Sequence, residues 1–200
     1  MFIDLFPTVV FQKNLQDISN KEINNFTNFI LNEQSNYTPK EGYTTFNQNL
    51  LSSPVFNNLN KEILDYVKNY FKELGYINYE FKIICSWGNI LSKDDQIHTH
   101  FHKNSLISGS YYLTNNNSSI RFFNHLDNEW LFELGNKNNF NTIRSCSYWD
   151  FTPVQNMLIL FPSWLPHKVL PSNSQENRIS IAFNIVPKGE FGVPTGKFYI

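Results

Sequence analysis

The sequence predicts a mainly β jelly roll with two helices packed on one outer face. Three observations carry this. Helical periodicity is confined to the first third of the chain, where Ile23, Phe26 and Ile30, then Leu59, Ile63 and Val67, recur at helical spacing. Beyond Gly75 the period drops to two, and about eight short strand-like runs follow with polar turns and no helical pattern between them. Strands joined without helical crossovers pair mainly antiparallel. Phe (19) and Tyr (10) are abundant, and aromatic residues favour strands and fill sandwich interiors.

Taken in order, residues 1–18 predict an opening strand, Pro7 to Gln12, and a loop. Ser19-Asn20-Lys21-Glu22 has the capping-box pattern, in which Ser19 and Glu22 satisfy the free amides of a helix start; the first helix then covers about 20–34. Residues 35–53 are polar and read as a loop. A second helix spans about 56–74, with Leu59, Ile63, Tyr66, Val67, Tyr70 and Leu74 as its buried stripe and Gly75 as its stop. Alternation from Tyr79 to Leu91 puts Tyr79, Phe81, Ile83, Cys85 and Trp87 on one strand face. Further strands are expected at 105–114, 119–124, 143–149, 156–161, 166–170 and 177–187. Leu126 to Asn141 is weakly patterned and reads equally as a lid or a surface insertion. There is no internal repeat and no boundary signal. The expectation is one domain over 1–200, with a helical part at 1–76 packed on a jelly-roll core at 77–200.

The formal net charge is -1, with only 16% charged residues. That gives no basic surface for nucleic acid and no charged tail. Asn is unusually frequent at 29 residues, which suits long polar loops. Cys85 and Cys146 are far apart, fit no metal or redox spacing, and read as free thiols of a reducing compartment. The N-terminus lacks a basic, then apolar, leader, and the longest apolar run, Met157 to Phe161, is far too short to span a bilayer. A soluble cytoplasmic protein is expected.

The chemistry gathers in two stretches. His98-Thr-His100-Phe-His102 holds three of the five histidines at i, i+2 and i+4. On a strand these share one face, about 6.6 Å apart, a workable separation for side chains converging on a metal. Far along the chain, Phe161-Pro-Ser-Trp-Leu-Pro-His167 places another histidine after an apolar strand, and Arg178-Ile-Ser180-Ile-Ala-Phe-Asn184 follows. Alternation there turns Ile179, Ile181 and Phe183 to one side and Arg178, Ser180, Ala182 and Asn184 to the jelly-roll interior. A buried guanidinium needs an anion, and a hydroxyl two residues on completes a carboxylate cradle. Two or three facial ligands with open positions suit a non-haem Fe(II) oxygenase. A 2-oxo acid chelating that iron would reach Arg178 with its far carboxylate. Asn89 and Asn184 are further candidates to reach the site. His125 reads as a solvated turn residue, and Trp130 and Trp164 as either cleft or packing residues.

With these motifs in hand, the chain resembles the 2-oxoglutarate/Fe(II)-dependent oxygenases of the prolyl-4-hydroxylase-like superfamily, and within it a group of short oxygenase-like proteins of marine bacteria and phages. The resemblance rests on Leu5 to Thr8, Trp87-x-Asn89, the H-x-H-x-x-S-x-x-S-G-x-Y-Y-L run from His100 to Leu113, Phe161 to Val169, and Arg178 to Asn184. It implies a double-stranded β-helix of cupin-like form. It also implies Fe(II) held by His100 and His167, with 2-oxoglutarate held by Arg178, Ser180 and Tyr112. The implied reaction uses O₂ to hydroxylate a small-molecule or peptide substrate and releases succinate and CO₂. A phage-encoded protein acting in its host's cytoplasm and a homodimer both fit the resemblance.

One position departs from the superfamily. Its first motif is usually H-x-D/E, and the residue in the carboxylate slot here is His102, a set that resembles the three-His site of thiol dioxygenases. His98/His100 is a second possible pair, which leaves His98 as the alternative to His102. Two other readings therefore stand beside the first: a three-His cupin-type dioxygenase that uses no 2-oxoglutarate, and a non-catalytic metal-binding module.

Overall fold

A computed structural model of the chain describes residues 4–124, 142–144, 146–192 and 195–199. Strand β1 (Phe11–Asn14) opens it, slightly later than the apolar run suggests. Helix α1 (Asn20–Asn32) starts with the expected capping box: Ser19 caps the Glu22 amide, and the Glu22 carboxylate accepts from Ser19 N–H at 2.9 Å. Its Ile23, Phe26 and Ile30 are buried.

The stretch expected to be a loop instead forms a hairpin, β2 (Ser35–Thr38) and β3 (Gly42–Thr45), followed by two short 3₁₀ turns at Leu50–Ser52 and Pro54–Phe56. The hairpin lies at the sheet margin, where Tyr and Thr suit the pleat and no apolar alternation is needed.

Helix α2 (Asn57–Glu73) buries Leu59, Ile63, Val67, Tyr70 and Phe71. Leu74, expected in that stripe, is 40% exposed because it caps the helix end, and Phe71 takes its place, stacked on Phe81 at 4.7 Å. Gly75 then adopts φ +87°. Its N–H donates to Lys72 O and the Tyr76 N–H to Phe71 O, the paired bonds that close a helix at a left-handed residue.

Among the described residues ten further strands follow: β4 (Glu80–Leu91), β5 (Ile97–His100), β6 (Ile107–Tyr112), β7 (Ile120–Phe123), β8 (Tyr148–Phe151), β9 (Met157–Pro162), β10 (His167–Val169), β11 (Arg178–Lys188), and the pair β12 (Glu190–Phe191) and β13 (Phe198–Tyr199). The strand expected at 143–149 is displaced to β8. Two antiparallel sheets face each other, one ordered β1-β9-β6-β11-β4-β3-β2 and the other β5-β10-β7-β8. This is the jelly roll that the periodicity predicts.

Two apolar cores separate cleanly by alternation. Leu158, Leu160, Ile179, Ile181 and Phe183 pack under the helices. Tyr112, Ile159, Phe161, Ile120 and Phe122 fill the space between the sheets. Each such side chain stabilises the fold by about 1.5–3 kcal/mol on burial. Gly109 has to be glycine here, since a Cβ would sit 2.5 Å from the Phe183 ring and 2.7 Å from Ile159 O.

Strand β4 does not keep one face from Tyr79 to Trp87. It pairs with β11 residue for residue from Leu91↔Arg178 to Cys85↔Asn184, then skips so that Ile83 faces Ile185 and Ile84 is the extra residue of a bulge. Phe81 and Ile83 therefore point to the helices, and so does Ile90. Trp87 and Asn89 point into the jelly roll.

Candidate metal and cosubstrate site

Strand β5 and the turn after β9 bring the two histidine stretches together. His100 lies directly opposite His167 in the β5–β10 ladder. His102, just beyond β5, is held by its N–H donating to Ser163 O at 2.9 Å. The imidazole centres are 4.3 Å (His100–His167) and 5.1 Å (His100–His102 and His102–His167) apart, and one ring nitrogen from each lies within 4.8 Å of the others. The Nδ1–H of His100 donates to His98 O at 2.8 Å and that of His167 to Leu165 O at 2.9 Å. A carbonyl can only accept, so these bonds put the proton on Nδ1 and leave Nε2 with a free lone pair for a metal. Burial, reinforced by the His100 neighbour, lowers His102 to about 4 and His167 to about 3, so both are neutral and ready to ligate at neutral pH.

His98 goes elsewhere. Its side chain is 71% exposed and its Nε2 lies 3.5 Å from the Glu41 carboxylate. Only its carbonyl serves the cluster, through His100. Phase explains this: His100 faces His167 and Ile97 faces Val169, so β5 carries one residue more than β10 over that stretch and simple alternation fails, leaving Ile97, His100 and His102 on the cavity and His98 off it.

The histidines line a cavity of about 180 Å³ that runs back to Arg178 and Ser180. This is below the ~300–1,000 Å³ of sites for drug-sized ligands and suits a small acid. Arg178 is 2% exposed. Its guanidinium donates to Ser180 Oγ at 3.3 Å and lies 4.9 Å from the Tyr112 ring centre. No carboxylate among the described residues is within ion-pair distance of it, Glu176 included. Two buried polar atoms, Arg178 Nε and Tyr112 Oη, make no hydrogen bond. Burial pushes the Tyr112 phenol up, only partly offset by Arg178, so it remains a donor. Donors stranded together at the end of a cavity cost stability unless an anionic acceptor fills it. The distal carboxylate of a dicarboxylic acid chelating a metal at the histidines would satisfy both.

Asn89 lines the same cavity and accepts from Thr44 Oγ1 at 3.2 Å. Asn184 is committed otherwise: its Oδ1 accepts from Ser108 Oγ at 2.7 Å and its Nδ2 donates to Cys85 Sγ at 3.3 Å. Glu41 and Thr44, from the hairpin read as loop, complete the mouth. Trp164 is half exposed on its turn. His125, Trp130 and the 126–141 stretch lie outside the described residues. Cys85 and Cys146 are free thiols. Among the described residues no helix is long and apolar enough to cross a membrane.

Comparison with known proteins follows the same line. Residues 85–184, half of the chain, match the family described as "Putative 2OG-Fe(II) oxygenase". The chain belongs to this family. As a 2OG-Fe(II) oxygenase its metal is Fe(II) and its cosubstrate 2-oxoglutarate. Solved structures share the fold at low identity. HygX from Streptomyces hygroscopicus, with nickel and 2-oxoglutarate bound, superposes with a TM-score of 0.63 at 15% identity, covering 89% of this chain and 82% of HygX. A Pseudomonas putida prolyl-4-hydroxylase gives 0.55 at 14%, with 88% and 92% covered. The viral collagen prolyl hydroxylase of Paramecium Bursaria Chlorella virus-1, a 2OG complex, gives 0.58 at 12%, with 88% and 94% covered. No curated protein sequence matches the chain. The oxygenase's matched region begins at Cys85 and ends at Asn184, which face each other in the β4–β11 ladder that walls the cavity.

Proposed function

We propose that this oxygenase hydroxylates a C–H bond of a small-molecule or peptide substrate, with His100, His102 and His167 as its iron ligands. Arg178, Ser180 and Tyr112 hold the distal carboxylate of 2-oxoglutarate. The carrying observation is one cavity that joins three converging imidazoles to a buried arginine with no anionic partner among the described residues. Bound Fe(II) and O₂ would supply the oxidation that couples 2-oxoglutarate breakdown to succinate and CO₂ with substrate hydroxylation.

The chain's own residues perform the rest. Backbone carbonyls of His98 and Leu165 fix which nitrogen of His100 and His167 is offered. The Arg178–Tyr112 end sets the depth at which the diacid sits. Phe161, Ile120 and Val169 keep the cavity wall apolar and limit water. Three neutral imidazoles leave the metal one charge more positive than two imidazoles and a carboxylate would.

The test is succinate production by purified protein given Fe(II), 2-oxoglutarate and O₂, with His100→Ala and His167→Ala as controls. Dependence on all three additions and loss in both variants is the expected result; iron-loaded protein that neither binds nor consumes 2-oxoglutarate would overturn it. The His102 substitution keeps one rival specific: oxidation of a thiol or small acid with no 2-oxoglutarate present would identify a three-His dioxygenase instead.

A further inference from the structure

A ladder of polar side chains, buried at Ser163, Ser108 and Asn184 and half-buried at its Ser105 and Cys85 ends, crosses the inner face of the large sheet beneath the histidines. Ser105 Oγ lies 2.9 Å from Ser163 Oγ, Ser163 Oγ 2.8 Å from Ser108 Oγ, Ser108 Oγ 2.7 Å from Asn184 Oδ1, and Asn184 Nδ2 3.3 Å from Cys85 Sγ. Donor counting orients it. A carbonyl oxygen only accepts, so the one Ser108 hydrogen goes to Asn184. Ser108 can then only accept from Ser163, and Ser163 from Ser105. Every hydroxyl hydrogen has one destination, and the ladder runs one way. It links the turn after β9 to β6, β11 and β4, four neighbours in the sheet.

Ser163 is where this ladder meets the histidines. Its carbonyl accepts from His102 N–H at 2.9 Å, its N–H donates to Leu106 O at 3.1 Å, and its hydroxyl holds Ser105. Three bonds thus bind one residue to the segment that carries His102. Four residues on, the same turn ends in His167. Ser163 is 1% exposed, so water does not compete for these bonds.

We propose that Ser163 is a positioning residue that sets the distance between His102 and His167, with the Ser108–Asn184 ladder as its rigid backing. The inference rests on the reading of these histidines as metal ligands. Residues behind metal ligands commonly govern affinity about 10–100-fold.

The experiment uses Co(II), whose visible absorption reports coordination geometry, on the full chain. Ser163→Ala is compared with Ser118→Ala, which removes another fully buried serine hydroxyl, bonded to Leu170 O, outside the cavity and the ladder. Ser163→Ala is expected to weaken Co(II) binding about tenfold or more and to alter the spectrum. Ser163→Cys, nearly isosteric, should recover part of both. Ser118→Ala should change melting of the metal-free protein and leave Co(II) binding unchanged. Should Ser163→Ala not fold, Ser105→Ala removes only the donor to Ser163 and should show the same spectral change at smaller loss of affinity. Equal affinity and spectrum in the folded Ser163 or Ser105 variant and wild type would overturn the proposal. Wild type that binds no Co(II) would overturn the ligand reading, and the proposal with it.

Discussion

Replacing Arg178 by Met should have two effects of opposite sign. In the protein without ligands the guanidinium is buried, meets one serine hydroxyl at 3.3 Å, and keeps Nε without a partner. Exchanging such a buried charge for an apolar side chain of similar length is neutral or stabilising, by up to about 1–4 kcal/mol. For a chain of this size each kcal/mol moves melting by about 2–4 °C. The metal-free, ligand-free variant should therefore melt at the same temperature as wild type or several degrees higher. With 2-oxoglutarate the sign reverses. Removing one partner of a buried hydrogen-bonded charge pair costs about 2–5 kcal/mol, so Kd for 2-oxoglutarate should rise by about 30-fold or more. Anaerobic calorimetry with Mn(II) in place of iron measures the affinity, and a thermal melt the stability. A variant that binds 2-oxoglutarate within threefold of wild type while retaining metal would refute the assignment. A melting point several degrees lower would refute the claim that Arg178 is strained without its anion.

Further outcomes follow from the same geometry. Tyr112→Phe removes the other stranded donor; 2-oxoglutarate affinity should fall about 10-fold or more in calorimetry, the range for one hydrogen bond to a charged carboxylate, with no loss of stability. Gly109→Ala forces a methyl against Phe183 and Ile159 O and should lower stability by about 1–3 kcal/mol or more in urea titration. The metal-free protein should lose stability on acidification. His102 and His167 titrate near 4 and 3 when folded but at the ordinary histidine value of 6.5 when unfolded, so between these limits the unfolded chain binds more protons. Their stability term is complete above about pH 6.5 and declines toward pH 3; urea midpoints at pH 7.5, 6 and 5 should fall in that order, and Zn(II) should reduce the drop at pH 6.

What could be read from the sequence was what local spacing controls. The capping box, both helices, the inward set of β11 and the His167–Arg178 pair follow from periods of 3.6 and 2. The choice between His98 and His102 did not, because simple alternation would put all three histidines on one face, and the irregular β5–β10 register that turns His98 away is set by a partner strand about seventy residues on. The hairpin at 35–45 carries no apolar alternation, since it borders the sheet, and so resembled a loop. Serines 105, 108 and 163 stood in the motifs, yet their hydroxyls join only once β6 and the β9 turn are adjacent. Nothing in the chemistry of Ile84 marks it as the bulge; the skipped partner lies a hundred residues away on β11.

That bulge makes β4 sensitive to length rather than to composition. Upstream of Ile84 the odd-numbered residues belong to the helical layer; downstream they belong to the oxygenase cavity. A conservative exchange at Ile84 leaves this division intact. Removing the residue would advance the reading frame of the strand by one, turning either Trp87 and Asn89 toward the helices or Phe81 and Ile83 away from them. One strand serves two interiors only because it carries one residue more than its partner, so related chains can vary freely in the side chain at that position but not in the count.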